Sequence, residues 1–473
     1  MTPVSVSKAP PDPGGATGSP VTVGVDVGTT SVKAVAVDAD GRVVARSRVP
    51  HKILVPEAEQ LEHDAHRAWR QGPRRAFSAV ASQISAPVAG VAVTSMVPSM
   101  TAVDRRGVPF LPGLLYTDAR GRVEGGDPAP AVPDARGLLE WTAGQAPAAA
   151  GYWPCQAVAT CALSGVPAMD TATAIVFGDL YGPDGWRPEG LAALGARPDQ
   201  MPVVVQMGAA AGTLPGSGTV VAGGTIDAFC DQLVSGAAEP GDVLAIFGAT
   251  LVVWIVTHDW VEFPNLVTVP HTVPDRVLVG GPSNAGALFV DWTRQLLRGV
   301  SRPGPGRLPR RGAGDGRDGD PSRVPVWLPY IRGERTPFND PTLRASLHGL
   351  DLTQGAAAVQ RAAFEASGFV IRRMLELSGL PGRRVVASGG GTQVAAWMAA
   401  VADATGLPVD PVAVPEGAAL GAAYMARMAA GLETSLDASR GWARSAARVE
   451  PDPVWATAAA ARYRRFADLG PGS

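Results

Sequence analysis

The same short pattern opens both halves of this chain. Residues 21–26 read Val-Thr-Val-Gly-Val-Asp, Gly28-Thr29-Thr30-Ser31 interrupts them as a tight turn, and residues 32–38 resume the strand. Residues 243–247, the turn Gly248-Ala249-Thr250 and residues 251–256 repeat that order. Two apolar runs joined by a turn of small residues predict an antiparallel hairpin. In the first half Asp40-Gly41 marks a second hairpin turn before 42–49. A helix over 65–80 follows, interrupted at Gly72-Pro73, and then a strand over 88–93. In the second half a strand over 276–280 precedes a helix over 286–298. An amphipathic helix over 353–377, a strand over 384–387 and the turn Gly389-Gly390-Gly391 come later. Three antiparallel strands ahead of the first helix exclude a doubly wound dinucleotide fold, whose first strand leads straight into a helix. The repeat predicts a duplicated α/β domain with a cleft between the copies.

The rest of the sequence fits that plan. Its 473 residues are roughly three times the ~150 typical of one domain. With 46% hydrophobic and 18% charged residues the chain is folded rather than disordered. The 41 basic and 43 acidic residues leave a net charge of −2, which excludes a broad basic surface for nucleic acid. Three cysteines, Cys155, Cys161 and Cys230, are too few and too scattered for a disulfide framework or a zinc site, and point to a reducing cytoplasm. Residues 1–20 hold five prolines and three glycines, a disordered tail rather than a secretory signal. The most apolar stretch, 243–256, is too short to span a bilayer. Residues 301–320, with six Gly, three Pro and five Arg, are expected to be a flexible insertion. The expected division is a tail over 1–20, an N-terminal domain over 21–238, a C-terminal domain over 239–450 and a terminal helix and tail over 451–473, its helix at 454–469.

Four segments carry the candidate chemistry. The 28–30 turn offers backbone N–H and hydroxyl donors to phosphate oxygens, and glycine lets the backbone approach closely. Asp26, just before it, would place a carboxylate where Mg²⁺ sits beside phosphates. Lys33, just after it, is one of only three lysines. In Gly223-Gly224-Thr225-Ile226-Asp227, Asp227 stands near a helix start and could accept the proton of an attacking hydroxyl. Asp231, one turn on, is its rival. Gly248 and Thr250 mirror the first turn, so that two hairpins could grip a triphosphate. Gly390, Gly391 and Thr392, between a strand and a helix, would let a planar base or ribose approach. Glu416-Gly-Ala-Ala-Leu-Gly421 reads as a small-residue packing helix. His63 and His66 read as a solvated helix face, Trp69, Trp292 and Trp397 as core, and Cys230 as a small buried filler.

In their order these segments resemble the FGGY family of carbohydrate kinases. The resemblance runs from about Val21 to Gly431. It is carried by Asp26-Val-Gly-Thr-Thr-Ser-Val-Lys33, Ala58-Glu-Gln60, Tyr116-Thr-Asp118-Ala-Arg120, the Asp227 segment, Pro329-Tyr-Ile-Arg-Gly-Glu-Arg-Thr-Pro337-Phe-Asn-Asp340, Gly389-Gly-Gly-Thr392 and Glu416-Gly-Ala-Ala-Leu-Gly421. The Gly-Glu-Arg-Thr-Pro stretch looks most like the xylulokinase branch. The resemblance implies two ribonuclease H-like domains of the actin and hexokinase type flanking a cleft. It also implies ATP and Mg²⁺ as cofactors, and transfer of the γ-phosphoryl group to a ketopentose such as xylulose. Asp227 matches the general base, Asp26 the carboxylate near Mg²⁺, and Thr29 and Thr30 the phosphate turn. Thr250 matches the second phosphate turn, and Gly390, Gly391 and Thr392 the adenosine side. Asp118 and Arg120 match residues near the sugar.

The chain departs from that pattern where sugar hydroxyls are read. Gln-Met-His-Gly of the xylulokinases is here Met96-Val97-Pro98-Ser99, so a side chain able to hydrogen-bond is replaced by proline, and Met96 and Pro98 become the substrate-side positions. Tyr116 and Thr117 replace Trp and Asn. A site that loses a partner for a substrate hydroxyl changes specificity as well as affinity. Another polyol or sugar, or a catalytically weak sugar-sensing protein on the same fold, stays open. Expected partners are the sugar or polyol, ATP and a second copy in a homodimer, with no nucleic acid and no membrane.

Overall fold

The computed structural model describes residues 18–57, 60–116, 118–121, 135–272, 275–300 and 316–471. The tail expected over 1–20 lies outside them for residues 1–17, as does the insertion expected over 301–320 for residues 301–315. Among the described residues no helix is long and apolar enough to cross a membrane.

The first hairpin forms as the alternation requires. Strand β1 (Val21–Val27) pairs antiparallel with β2 (Ser31–Val37), which pairs antiparallel with β3 (Val43–Pro50). Val23, Val25 and Val27 are fully buried, since one valine at every second position fills one face of the sheet. Residues 65–80 do not break at Gly72-Pro73. A wide turn over His66–Gln71 runs directly into α1 (Gly72–Ala81), the amide of Gly72 reaching back to the Arg67 carbonyl. Pro73 sits in the first turn of α1, where its missing N–H costs nothing. Strand β4 (Val88–Ser95) then returns parallel to β1. Beyond α2 (Cys155–Ser164) the sheet is completed by β5 (Ala210–Thr213), β6 (Val220–Ala222) and β7 (Thr225–Ile226), the last two parallel to β4. Helix α3 (Asp227–Ser235) follows at once.

The second sheet repeats the order. Strands β8 (Asp242–Phe247) and β9 (Leu251–Thr257) form the hairpin. Strand β10 (Val267–Pro270), which the sequence reading lacked, lies outside β11 (Val277–Ser283), itself antiparallel to β9. After α4 (Ala287–Val300) and α5 (Ala356–Ser378), β12 (Arg384–Ser388) runs parallel to β8. Helix α6 (Ala395–Thr405) then leads to β13 (Val409–Pro411), parallel to β12. The strand orders β3-β2-β1-β4-β6 and β11-β9-β8-β12-β13 coincide, so each half carries the ribonuclease H-like sheet.

The chain divides into two compact units, Met1–Val234 with Glu416–Trp442, and Ser235–Pro415 with Ala443–Ser473. This differs from the expected single cut after 238. Helix α7 (Gly417–Ala429) belongs with the first sheet. A Cβ on Gly24 of β1 would stand 1.7 Å from the Ala419 carbonyl oxygen, and one on Gly421 would stand 2.2 Å from that of Cys230 in α3. Small residues on both sides let helix and strand approach at backbone contact. The terminal helix α8 (Pro453–Leu469) is part of the second unit rather than an appendage. There Arg361 and Arg462 both pair with Glu365, and Arg361 also with Asp403. Those four buried charges link α5, α6 and α8. Trp69 and Trp397 are core residues as expected. Trp292 on α4 is instead 39% exposed, its ring meeting that of Trp327 edge to face with centroids 6.2 Å apart.

Candidate active site

Sheet topology gathers the acidic residues of the first unit at one end. Asp26 sits opposite Lys33 in the β1–β2 register and beside Thr94 of β4, which in turn faces Thr225 of β7. Asp26, Ser95 and Asp227 thus all lie where parallel strands β1, β4 and β7 finish, the end at which α/β sheets bind ligands. Lys33 Nζ stands 3.2 Å from Asp26 Oδ2, an ion pair set by the cross-strand register. The Asp26 carboxylate raises the lysine's pKa, and Asp231 and Glu416 add to the effect.

Asp227 is the first residue of α3, and its Oδ1 accepts from the Ala228 amide at 2.7 Å. Burial first, and then the negative charge of Asp26, push its pKa up to about 6, against the pull of the Ala228 amide and Lys33. A carboxylate whose pKa is raised toward neutrality, yet which stays mostly ionised there, is suited to take up a proton during catalysis. Asp231, one turn further along α3, is buried within the field of Lys33. Cys230 between them is fully buried, and burial drives its thiol pKa well up, so it packs rather than reacts.

The 28–30 turn is held from behind by two histidines. His51 Nε2 donates to the Gly28 carbonyl at 3.0 Å, and His63 Nε2 to the Thr29 carbonyl at 2.8 Å. His63 is fully buried in a two-residue strand, Glu62–His63, and burial pushes its pKa down to about 3. The solvated helix face expected for His63 and His66 is therefore incorrect. Leu61 and His63 both point inward, a period of two that belongs to a strand, and His66 in the following turn bonds Gln71. Within the Ala58–Gln60 stretch, Ala58 and Glu59 lie outside the described residues. It is His63 that reaches the turn.

On the expected sugar side, Met96 is 4% exposed and packs into the core of the first unit, and Pro98 is buried. The Ser99 hydroxyl accepts from the Cys155 amide, and Gln156 donates to the Ser95 carbonyl. The Asp118 carboxylate accepts from the Leu61 amide and from three nitrogens of Arg120, which fills both its oxygens. Asp118 therefore holds Arg120 rather than presenting a free carboxylate. Arg120 also bonds Glu62 at 2.6 Å and covers the ring of Trp141. His51, Glu62 and Trp141 are residues that sequence reasoning missed; only the alternation around Leu61 could have flagged Glu62. Thr117 lies outside the described residues.

In the second unit, Ile246 of β8 pairs with Ser388 of β12, so the 248–250 and 389–392 turns leave the sheet side by side. A Cβ on Gly391 would stand 2.6 Å from Cβ of Phe247. Gly390 is exposed, whereas Thr392 is buried and its hydroxyl bonds the Gly389 carbonyl. Among the described residues no group of three or more His, Cys, Asp or Glu could hold a metal ion by itself. The Asp26 carboxylate at the end of β1 does suit Mg²⁺, which takes few protein ligands and completes its shell with phosphate and water.

Models of the FGGY family of carbohydrate kinases match here, the N-terminal domain over residues 21–124 and the C-terminal domain over 243–430. The chain is 30% identical to a xylulose kinase of Streptomyces coelicolor over 460 residues, covering 89% of each chain. It is 26% identical to a glycerol kinase of Renibacterium salmoninarum, covering 89% of this chain and 92% of that one. The crystal structure of a xylulose kinase from Rhodospirillum rubrum superposes with a TM-score of 0.72 at 25% identity, over 95% of this chain and 98% of that one. Repeated sheet, acidic strand ends and matched domains agree: the chain belongs to the FGGY family of carbohydrate kinases, sugar phosphotransferases with the two-domain actin/hexokinase-like fold.

Proposed function

We propose that the chain transfers the γ-phosphoryl group of ATP to a hydroxyl of a ketopentose, with xylulose the first candidate. The observation that carries the reading is Asp227 at the start of α3, its pKa raised to about 6 beside Asp26 and Lys33. Asp227 accepts the hydroxyl proton as the oxygen closes on phosphorus; the alcohol need not ionise beforehand, because the transition state is loose. The 28–30 turn and Lys33 offer donors to phosphate oxygens. Gly248 and Thr250 serve phosphate, and Gly390, Gly391 and Thr392 line the adenosine side. Mg²⁺, held by Asp26, would neutralise phosphate charge. Arg120, oriented by Asp118, and Glu62 face the sugar. The work is done in a reducing cytoplasm.

A second reading is phosphorylation of another polyol. It is favoured by buried Met96 and Pro98, which put no hydrogen-bonding side chain where the xylulokinase pattern has His, and by the glycerol kinase similarity. A coupled ADP-release assay over ketoses and polyols separates the two. Turnover stimulated most by a ketopentose supports the first reading, and turnover stimulated most by glycerol or a tetritol supports the second. Binding without turnover of any sugar defeats both.

A further inference from the structure

Three successive carbonyls of the β1–β2 turn accept hydrogen bonds from outside the turn. Gly28 receives His51 Nε2, Thr29 receives His63 Nε2, and Thr30 receives the His51 amide at 3.0 Å. Carbonyls tied on one side leave the amides of Thr29 and Thr30, and both hydroxyls, without a partner among the described residues. The rings of His51 and His63 meet edge to face with centroids 4.5 Å apart, so each fixes the other's orientation.

The proton on His63 is assigned by its neighbours. Trp69 Nε1 can only donate, and it stands 3.0 Å from His63 Nδ1, which must accept. His63 is therefore neutral with its hydrogen on Nε2, the tautomer that the Thr29 carbonyl requires. Trp69 is itself fully buried, so the chain Trp69–His63–Thr29 has no slack through solvent.

The second unit supports its own turn in the same place by other means. There the carbonyls of Gly248 and Ala249 accept from the amides of Ala287 and Leu288, at the start of α4. Both turns thus have their first two carbonyls tied. One uses the N-terminus of a helix, the other two imidazoles.

We infer that His51 and His63 are positioning residues for phosphoryl transfer, holding the 28–30 turn so that its amides and hydroxyls face the phosphates of bound nucleotide. The inference rests on reading that turn as phosphate-binding. Its test therefore includes one measurement that needs no activity.

Amide exchange of Gly28 and His51, whose N–H groups bond the Ser31 and Thr30 carbonyls at the turn, and steady-state kinetics are to be compared in wild type, His63→Leu, His63→Gln and His51→Ala. Glutamine keeps an N–H donor near the position of Nε2, whereas leucine keeps only bulk. The expected result for His63→Leu is faster exchange in the turn and a rise in KM for ATP of at least about tenfold. KM for the sugar should stay within about twofold, and His63→Gln should recover most of both effects. His51→Ala, at a half-buried site, should show the same signs more weakly, and serves if His63→Leu does not fold. Unchanged exchange in His63→Leu or His51→Ala overturns the inference. So does faster exchange with an unchanged KM for ATP in a variant that turns over. A wild type that phosphorylates nothing defeats the proposed function instead, and the exchange data still decide whether the histidines hold the turn.

Discussion

Asp227→Asn tests whether the carboxylate proposed as the general base is held at an energetic cost. Its folded pKa is about 6 against an ordinary 3.8. A displacement of about two units at 1.36 kcal/mol each corresponds to at most about 3 kcal/mol, an upper bound for a half-buried group. Because the folded pKa is the higher one, the cost is absent below pH 3.8, where the group is protonated in both states. It grows as the unfolded chain ionises first, and it is complete above pH 6. Asparagine keeps the shape and carries no charge. The variant should therefore gain stability over wild type at pH 7.5 by up to about 3 kcal/mol, and none of that gain should remain at pH 3.5. At roughly 2–4 °C per kcal/mol for a unit of this size, thermal scans at fixed rate should show a difference of up to about 6–12 °C. The same variant should lose about 10²–10⁴ in kcat, the usual contribution of a general base. Wild-type kcat/KM should fall below about pH 6, as protonation removes the base. A variant no more stable at pH 7.5 than at pH 3.5, relative to wild type, would refute the reasoning, as would an acid limb near pH 4.

Other consequences can be checked as directly. Lys33→Met removes the cation that opposes protonation of Asp227, so the acid limb of kcat/KM should move to higher pH; a downward move would contradict the assigned electrostatics. Gly421→Ala forces a methyl group to within 2.2 Å of the Cys230 carbonyl, and should cost several kcal/mol, about 3 or more, in urea unfolding while displacing α3 and lowering kcat. Among the described residues Glu365→Ala takes the only carboxylate partner of Arg462 and leaves Arg361 with Asp403 alone, and should cost about 3–5 kcal/mol, with exchange protection lost in α5 and α8 but retained in β1. Cys155 and Cys230, buried with raised thiol pKa values, should resist a thiol reagent in the native protein, whereas both react once it unfolds.

The duplicated sheet was legible because its signal is local. Valine at every second position of β1 and small residues in the 28–30 and 248–250 turns specify hairpins without help from the rest of the chain. Strand β10 was missed because the four residues Val267–Pro270 carry too short an alternation to separate from a loop. Helix α7 was recognised as a packing helix from Gly417 and Gly421, yet it was placed in the wrong half. Small residues advertise a close contact but do not name the partner, and only the fit against Gly24 assigns it to the first sheet.

For the site the division is similar. Asp26, Lys33 and Asp227 could be chosen from the residues alone, since a turn of small donors and an acid at a helix start are chemical requirements visible in order. The tertiary structure decided their states and their supports. Asp227 titrates near 6 because burial and Asp26 lie around it, and Asp118 is filled because Arg120 folds back over it. His63, 34 residues from the carbonyl it holds, is a ligand of the turn only once β1 and the Glu62–His63 strand are brought together. Sequence order states which groups a chain possesses. Protonation, satisfaction and orientation are set by neighbours distant along the chain, and those exist only after folding.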